Sequence, residues 1–124
     1  MVIDDEESIT ILVERILSNL GYKVTTYTSS VNALQAIKDS PYSFDLVITD
    51  QTMPGYTGTV LAQKILKIRP DIPIILATGF GEAISVDEAL SFGIKEFVFK
   101  PFVKMEIAKM IRSLLDKKEE LAQV

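Results

Sequence analysis

Four short apolar runs in the sequence are followed or closed by side chains that could take part in chemistry. The pair Asp4-Asp5 follows the first run, Asp50 the third and Lys100 the fifth, while Thr78 closes the fourth. Carboxylates, an ammonium and a hydroxyl are the groups with which proteins bind hard cations and stabilise phosphoryl oxygens. Taken singly they decide little, because an aspartate after a strand is often only a helix N-cap. The interpretation depends on whether they converge.

Convergence of the carboxylates would itself predict a bound cation. Two unit charges about 4 Å apart repel by roughly 4 kcal/mol at an effective dielectric constant near 20. Such a cluster persists only if its members take up protons or a cation lies among them. The chain has neither histidine nor cysteine, so its ligands are oxygen atoms, which select Mg²⁺ and leave Mn²⁺ as an alternative. The prediction is a magnesium site formed by Asp4, Asp5 and Asp50.

One carboxylate of such a site can act as a nucleophile and form an acyl phosphate. Asp50 is the best candidate, because the turn at residues 51–55 would present it at the edge of a sheet. Lys100 would offset the charge of the phosphoryl oxygens, and the Thr78 hydroxyl would donate a hydrogen bond to one of them. Catalysis would then depend on positioning and electrostatic stabilisation.

The apolar runs have the length and composition of buried strands. They cover residues 1–3, 24–27, 46–49, 72–78 and 97–99. Short runs rich in β-branched residues are typical of strands covered on both faces. Amphipathic stretches separate them, which predicts an α/β protein with βα repeated five times and helices on both faces of a parallel sheet. The carboxyl ends of the strands then meet at one edge, where ligands bind in such sheets.

Four of the amphipathic stretches show apolar residues at helical spacing. The predicted buried stripes are Ile9, Leu12, Val13, Ile16, Leu17 and Leu20; Val31, Leu34 and Ile37; Val60, Leu61, Ile65 and Ile68; and Met105, Ile107, Met110, Ile111, Leu114 and Leu115. A further helix is predicted over residues 82–92. Gly21 is placed for a left-handed cap after the first helix, and Ser29 or Ser30 for the N-cap of the second. Pro70 ends the third.

Length and composition limit the kind of protein. The 124 residues fit one domain, residues 1–124, and the hydrophobic share of 48% is enough for a single core. The formal charge of −4, with both signs mixed along the chain, offers no basic stripe for nucleic acid. No apolar run approaches the roughly 20 residues that span a bilayer. The absence of cysteine suits a cytoplasmic protein, and the absence of histidine means that a phosphohistidine donor must come from another molecule or domain.

Five sequence blocks, in order, resemble the receiver domain of two-component response regulators. They are VIDDE at residues 2–6, DQTMPGYTG at 50–58, IILATG at 74–79, ALSFG at 89–93 and FVFKPF at 97–102. The resemblance covers the whole chain, and the ordered set is far more specific than any one block. It implies a flavodoxin-like (βα)5 receiver fold, a five-stranded parallel sheet in the order 2-1-3-4-5. It also implies a domain that catalyses its own phosphorylation and dephosphorylation and is not a separate turnover enzyme.

The resemblance assigns roles to individual positions of the metal site. Asp50 matches the phosphoaccepting aspartate. Asp4 and Asp5 match an acidic pair of which one binds Mg²⁺ directly and the other typically through water. Thr52 matches the position whose backbone carbonyl ligates the metal.

A conformational switch is also implied by the resemblance. Thr78 matches the switch hydroxyl, Phe97 the switch aromatic and Lys100 the lysine of the family motif. Phosphorylation of Asp50 adds close to two negative charges, Thr78 moves toward them and Phe97 turns inward. The surface of the fourth helix, fifth strand and fifth helix then changes by a population shift. Phe97 could equally be an ordinary core residue of a strand.

The implied partners are a sensor histidine kinase or histidine phosphotransfer domain, and a downstream protein or an output domain outside this sequence. A homodimer through the fourth and fifth helices is compatible with the family. The ATGF sequence at residues 77–80 resembles receivers attached to hybrid sensor histidine kinases. The first strand is shorter than family members usually have, and its truncation would weaken the support of Asp4 and Asp5.

Two alternatives stay open at this point. A phosphatase of the haloacid dehalogenase type also uses an aspartate nucleophile and Mg²⁺, but its general acid/base aspartate would fall at Thr52 in this chain. A phosphorylation-independent, receiver-like interaction domain is argued against by the intact Asp5, Asp50, Thr78 and Lys100, although the residues alone do not decide it.

Overall fold

The five predicted strand regions pair into one parallel sheet in the computed structural model, which describes residues 1–79 and 86–122 and the side chains of residues 1–79 and 87–117. The elements in chain order are β1 Val2–Ile3, α1 Glu7–Asn19, β2 Thr26–Tyr27, α2 Ser30–Asp39, β3 Val47–Asp50, α3 Gly58–Ile68, β4 Ile74–Thr78, α4 Val86–Ser91, β5 Glu96–Phe99 and α5 Lys104–Ala122. The sheet order is β2-β1-β3-β4-β5. The predicted α/β architecture and strand order are therefore confirmed.

The register of the ladder aligns the carboxyl ends of the central strands. Asp50 closes β3 and is paired with Ala77 of β4, so it belongs to the strand and does not follow it. Thr78 closes β4 beside Phe99 of β5. The short β1 pairs with β2 on one side and β3 on the other, and the amide of Asp4 donates a hydrogen bond to the carbonyl of Tyr27 at 3.1 Å. Strand ends and site residues thus share one edge.

The core consists of two layers, one on each face of the sheet. Alternate residues of β4 point to opposite faces, so that Ile74 and Leu76 join one cluster while Ile75 and Ala77 join the other. All five residues of β4 are buried, as expected for the middle of a parallel sheet. The first layer is formed largely with α2 and α3, and the second with α1 and α5.

The predicted helical stripes were too wide. Leu12, Leu20, Val31, Val60 and Met105 were predicted to be buried and are exposed. A helix that packs on a sheet buries only a narrow face, and one position along the chain turns a side chain by about 100°. No helix in residues 1–79 and 86–122 combines the length and apolar composition needed to cross a bilayer.

Local signals at the helix ends are confirmed where they are described. Gly21 has φ 94°, and its amide and that of Tyr22 donate hydrogen bonds to the carbonyls of Ser18 and Leu17 at 3.0 and 3.1 Å, which is a Schellman cap. Of the two candidate caps of α2, Ser29 accepts the hydrogen bond from the amide of Asn32. The predicted helix over residues 82–92 is α4, which ends at Ser91; residues 82–85, like Phe80, lie outside the described residues.

A buried arginine connects the loop that precedes β3 with the loop that precedes β4. Arg69, the C-cap residue of α3, is only 3% exposed. Its Nη1 donates hydrogen bonds to the carbonyls of Pro41, at 2.9 Å, and Phe44. Its other side-chain nitrogens contact Asp71 at 3.3 Å, and the guanidinium lies 5.1 Å from the centre of the Tyr42 ring. Sequence reasoning did not single out this residue.

Replacing Arg69 with methionine is expected to lower the free energy of unfolding by about 3 kcal/mol, because two loop carbonyls lose a charged donor. Urea unfolding followed by far-UV circular dichroism measures the change. Asp71→Asn is the matched control, since Asp71 is 61% exposed and its ion pair is worth only about 0–1 kcal/mol. Equal effects of the two substitutions would contradict the role given to the carbonyl contacts.

Candidate functional site

Three carboxylates meet at the carboxyl edge of the sheet, as predicted. Asp4, Asp5 and Asp50 each offer an oxygen atom, and these atoms all lie within 4.8 Å of one another. Asp4 is 2% and Asp50 4% exposed, whereas Asp5 faces solvent. Asp4 Oδ1 accepts a hydrogen bond from the amide of Glu6 at 3.0 Å, which stabilises the turn that leads into α1. Two carboxylates of the cluster are therefore buried, and the third is open to solvent.

Lys100 provides the positive charge next to these carboxylates. Its Nζ lies 2.7 Å from Asp4 Oδ2 and 3.1 Å from Asp50 Oδ1, and its amide donates a hydrogen bond to the carbonyl of Thr78 at 2.8 Å. Burial alone would lower the pKa of Lys100, but hydrogen bonds and Coulombic attraction to Asp4 and Asp50 outweigh it and raise the pKa above the usual 10.5. Lys100, which was predicted to contact phosphoryl oxygens, thus forms ion pairs with two carboxylates in this structure.

The donor set fits a hard divalent cation. Three carboxylates and the ammonium of Lys100 give the cluster a formal excess of two negative charges. Each carboxylate contributes oxygen, and the exposed Asp5 leaves an open approach from solvent. A cation such as Mg²⁺, which keeps several waters and takes only a few carboxylates, suits this arrangement. Charge and donor chemistry agree with the predicted metal site.

Thr78 and Phe97 lie on the neighbouring strands β4 and β5. Thr78 is 2% exposed, and its hydroxyl donates a long hydrogen bond of 3.4 Å to the carbonyl of Gly79. Leu76 is paired with Phe97, which places the side chains of Thr78 and Phe97 on the same face of the sheet. Phe97 is half-buried against the core, and its ring lies 5.3 Å from that of Phe99, which is 60% exposed. An ordinary core residue and the predicted switch aromatic would both occupy this position, so the two interpretations of Phe97 stay open.

The loop after Asp50 is attached to the rest of the domain at its beginning. The amide of Gln51 donates a hydrogen bond to the carbonyl of Ala77 at 3.0 Å, and its side-chain oxygen accepts one from the amide of Thr59 at 2.9 Å. Thr52 follows and is exposed. At Gly58, which opens α3, the backbone passes directly over the end of β3: a Cβ atom there would lie 2.3 Å from the carbonyl oxygen of Asp50. These contacts support the position of Asp50.

Sequence reasoning missed the supporting role of Gln51, Gly58 and Ser30. The glycine lies inside the block that carried the resemblance, where its spacing from Asp50 was a usable signal. Ser30 was considered only as a helix cap, because its contacts are to residues 24 and 26 positions away in the chain. No local pattern could have indicated them.

Comparison with known proteins decides the family. The sequence model described as the response regulator receiver domain matches residues 1–112 of the chain. The chain belongs to the response regulator receiver domain family. As a receiver domain of a two-component system, it is of a kind that is phosphorylated by histidine kinases and that typically binds Mg²⁺ at an acidic pocket. Neither the phosphatase nor the phosphorylation-independent alternative is favoured.

Several curated regulators contain a segment similar to this receiver domain. The C4-dicarboxylate transport transcriptional regulatory protein DctD of Rhizobium meliloti (strain 1021) is 32% identical over 94% of this chain and 25% of its own length. The probable transcriptional regulator ycf27 of Cyanophora paradoxa is 37% identical over 96% of this chain and 48% of its own. The regulatory protein VanR of Enterococcus faecium is 32% identical over 100% of this chain and 52% of its own length. The receiver domain therefore spans from a quarter to about half the length of these relatives.

Solved receiver domains have the same architecture over their whole length. A response regulator receiver domain protein from Clostridium thermocellum superimposes with a TM-score of 0.91 at 32% identity, covering 97% of this chain and 95% of the other. The receiver domain of NtrX from Brucella abortus superimposes with a TM-score of 0.84 at 31% identity, covering 93% of this chain and 96% of the other. Fold and family thus agree.

Proposed function

We propose that Asp50 is the residue that accepts the phosphoryl group. The observation that carries this proposal is its buried carboxylate, which lies within 4.8 Å of Asp4 and Asp5 and 3.1 Å from the ammonium of Lys100. An oxygen of Asp50 attacks phosphorus, the bond from phosphorus to the donor histidine nitrogen breaks, and that nitrogen takes up a proton as the imidazole leaves. The product is an acyl phosphate on Asp50.

Asp4, Asp5, Asp50 and the carbonyl of Thr52 are the groups proposed to hold Mg²⁺. When bound, the cation neutralises charge on the carboxylates and on the phosphoryl oxygens. Lys100 then moves from a carboxylate partner to a phosphoryl oxygen, a short displacement because its Nζ already lies between Asp4 and Asp50. In its new position the Lys100 ammonium offsets the negative charge of the phosphoryl group on Asp50.

Thr78 and Phe97 are the proposed switch residues. A phosphoryl group on Asp50 offers acceptor oxygens to the hydroxyl of Thr78, which in this structure donates a hydrogen bond of 3.4 Å to the carbonyl of Gly79. Movement of Thr78 changes the space beside Phe97, since both side chains lie on one face of the sheet. The surface of α4, β5 and α5 is the proposed output of the switch.

The donor and the output are assigned to other molecules or to domains outside this sequence. The chain contains no histidine, so we assign the donor to a sensor histidine kinase or a histidine phosphotransfer domain in the cytoplasm. Output is assigned to a downstream protein or an attached domain, with a homodimer through α4 and α5 as one form. A parent protein of the hybrid kinase type agrees with this assignment.

Incubation with Mg²⁺ and acetyl phosphate or phosphoramidate is expected to add one phosphoryl group, seen as an acid-stable, base-labile increase in intact mass. Asp50→Asn is expected to abolish the increase, because an amide oxygen is a much weaker nucleophile. Asp39→Asn, which removes an exposed carboxylate outside the cluster, is the control and stays fully reactive. Unchanged mass of the wild type, with no response to beryllofluoride, would refute the proposal; turnover of a phosphate ester would favour a phosphatase.

A further inference from the structure

Two adjacent serines at the start of α2 have different tasks. Ser29 caps the helix by accepting the hydrogen bond of the Asn32 amide at 3.2 Å. Ser30, which is 1% exposed, is turned toward the loop that follows Asp50. Its hydroxyl donates a hydrogen bond to the carbonyl of Pro54 at 3.1 Å and accepts one from the amide of Tyr56 at 2.9 Å. One hydroxyl thus joins α2 to both sides of a turn in another part of the chain.

The turn is built directly against this hydroxyl. Between the two bonded residues stands Gly55 with φ 81°, a conformation that favours glycine. A Cβ atom at Gly55 would lie 2.9 Å from the Ser30 oxygen and 3.4 Å from Val31 Cγ2. The backbone can approach the serine this closely only because no side chain intervenes. The contact therefore fixes the turn in position as well as satisfying its polar groups.

Thr52 lies between this contact and the attachment of Gln51 to β4 and α3. Gln51 is held by Ala77 and Thr59 at 3.0 and 2.9 Å. On the other side Met53 is buried, and the serine contact follows within three residues. A segment held at both ends leaves the exposed Thr52 little freedom, so the direction of its carbonyl depends on both attachments.

We propose that Ser30 is a positioning residue for the cation: its hydroxyl holds residues 54–56 so that the carbonyl of Thr52 and the carboxylate of Asp50 present the geometry that Mg²⁺ requires. This inference rests on the proposed function of the site. Mg²⁺ demands nearly ideal octahedral geometry, so a small displacement of one ligand weakens binding. Groups that orient ligands without touching the metal typically account for about 10–100-fold in metal affinity.

Ser30→Ala is expected to raise the Kd for Mg²⁺ about tenfold. Ser29→Ala is the matched control: it removes a hydroxyl from the same helix end and leaves the Kd within about twofold of wild type, since Ser29 does not contact the loop. Both values are obtained by titrating the full chain with MgCl₂ and following the backbone amide shifts of residues 50–53, 55 and 56 by NMR.

A measurement on the wild type tests the same coupling without any variant. If the serine contact favours the cation tenfold, the cation must favour the contact by the same factor. Saturating MgCl₂ is therefore expected to slow hydrogen exchange of the Tyr56 amide about tenfold, and to leave the Asn32 amide, held by Ser29, unchanged.

The outcomes separate this inference from the proposed function. Mg²⁺ binding and phosphorylation in the wild type, with an equal Kd in Ser30→Ala, would overturn the role of Ser30 alone. A tenfold higher Kd for Mg²⁺ in both serine variants would also overturn it, because that result would indicate general weakening of α2. Hydrogen exchange of the Tyr56 amide that does not respond to Mg²⁺ would overturn it as well. Failure of the wild type to bind Mg²⁺ or to be phosphorylated would instead overturn the proposed function.

Discussion

Gly58→Ala is expected to lower the free energy of unfolding by about 3 kcal/mol or more. The added Cβ atom would lie 2.3 Å from the Asp50 carbonyl oxygen, 2.6 Å from Leu76 Cδ1 and 3.0 Å from Gln51 Cα. Two of these atoms belong to the backbone and cannot rotate away, so β3 and α3 must separate. In an unhindered helix the same exchange would stabilise by up to about 1 kcal/mol; here the steric conflict outweighs that gain. Urea unfolding followed by far-UV circular dichroism measures the difference.

Gly21→Ala is the matched control for this prediction. A Cβ atom at Gly21 would meet nothing within 4 Å, so the substitution introduces only the strain of φ 94°, about 1–2 kcal/mol. Gly58 carries no such backbone strain, and its effect is purely one of space. A Gly58→Ala protein as stable as wild type, or less affected than Gly21→Ala, would show that β3 and α3 can separate at little expense.

Lys100→Met is expected to destabilise the metal-free domain by about 2–3 kcal/mol at pH 7. Methionine retains much of the volume but leaves the carboxylates of Asp4 and Asp50 buried without their ammonium, and removing one partner of a buried ion pair typically costs about 3–5 kcal/mol. The loss expected for Lys100→Met is smaller than this typical range because the Lys100 side chain is 20% exposed and its ion pairs are partly screened by water. Addition of MgCl₂ is expected to restore part of the loss, since a cation bound to the folded cluster supplies the missing charge.

The pH dependence of this effect has a defined sign. The pKa of Lys100 is raised in the folded domain, so its contribution to stability is fully present below about pH 10.5 and is lost as the pH rises through the folded value. Wild type and Lys100→Met are therefore expected to become more alike only above that pH. Lys104→Met, at an exposed lysine, is the control and changes stability by less than about 0.5 kcal/mol. Equal effects at positions 100 and 104 would contradict the argument.

The meeting of the site residues at one edge of the sheet could be predicted from the sequence. Asp4, Asp50, Thr78 and Lys100 were predicted to share one edge, and they do, because parallel strands joined by right-handed crossovers bring their carboxyl ends together whatever the detailed packing. Gly21 was predicted as a left-handed cap for an equally general reason, since the end of a helix is determined by a few consecutive residues. Both inferences depend on local patterns and on topology.

Contacts between distant segments were decided only by tertiary structure. Leu12 and Met105 have the spacing of core residues and are exposed, because the sheet offers each helix a narrower apolar surface than the helix could cover. The partners of Lys100 are carboxylates 96 and 50 positions away, at distances that no spacing in the sequence expresses.

The α/β fold, the carboxyl edge of the sheet and the members of the acidic cluster could be predicted without coordinates, because apolar periodicity and strand-end residues are properties of the linear sequence. Tertiary structure alone decided that Lys100 bridges Asp4 and Asp50, that Gly58 must leave room for the backbone of β3, and that Ser30 holds the turn after the acceptor. These are contacts between elements, and their geometry arises only when helices and strands pack together.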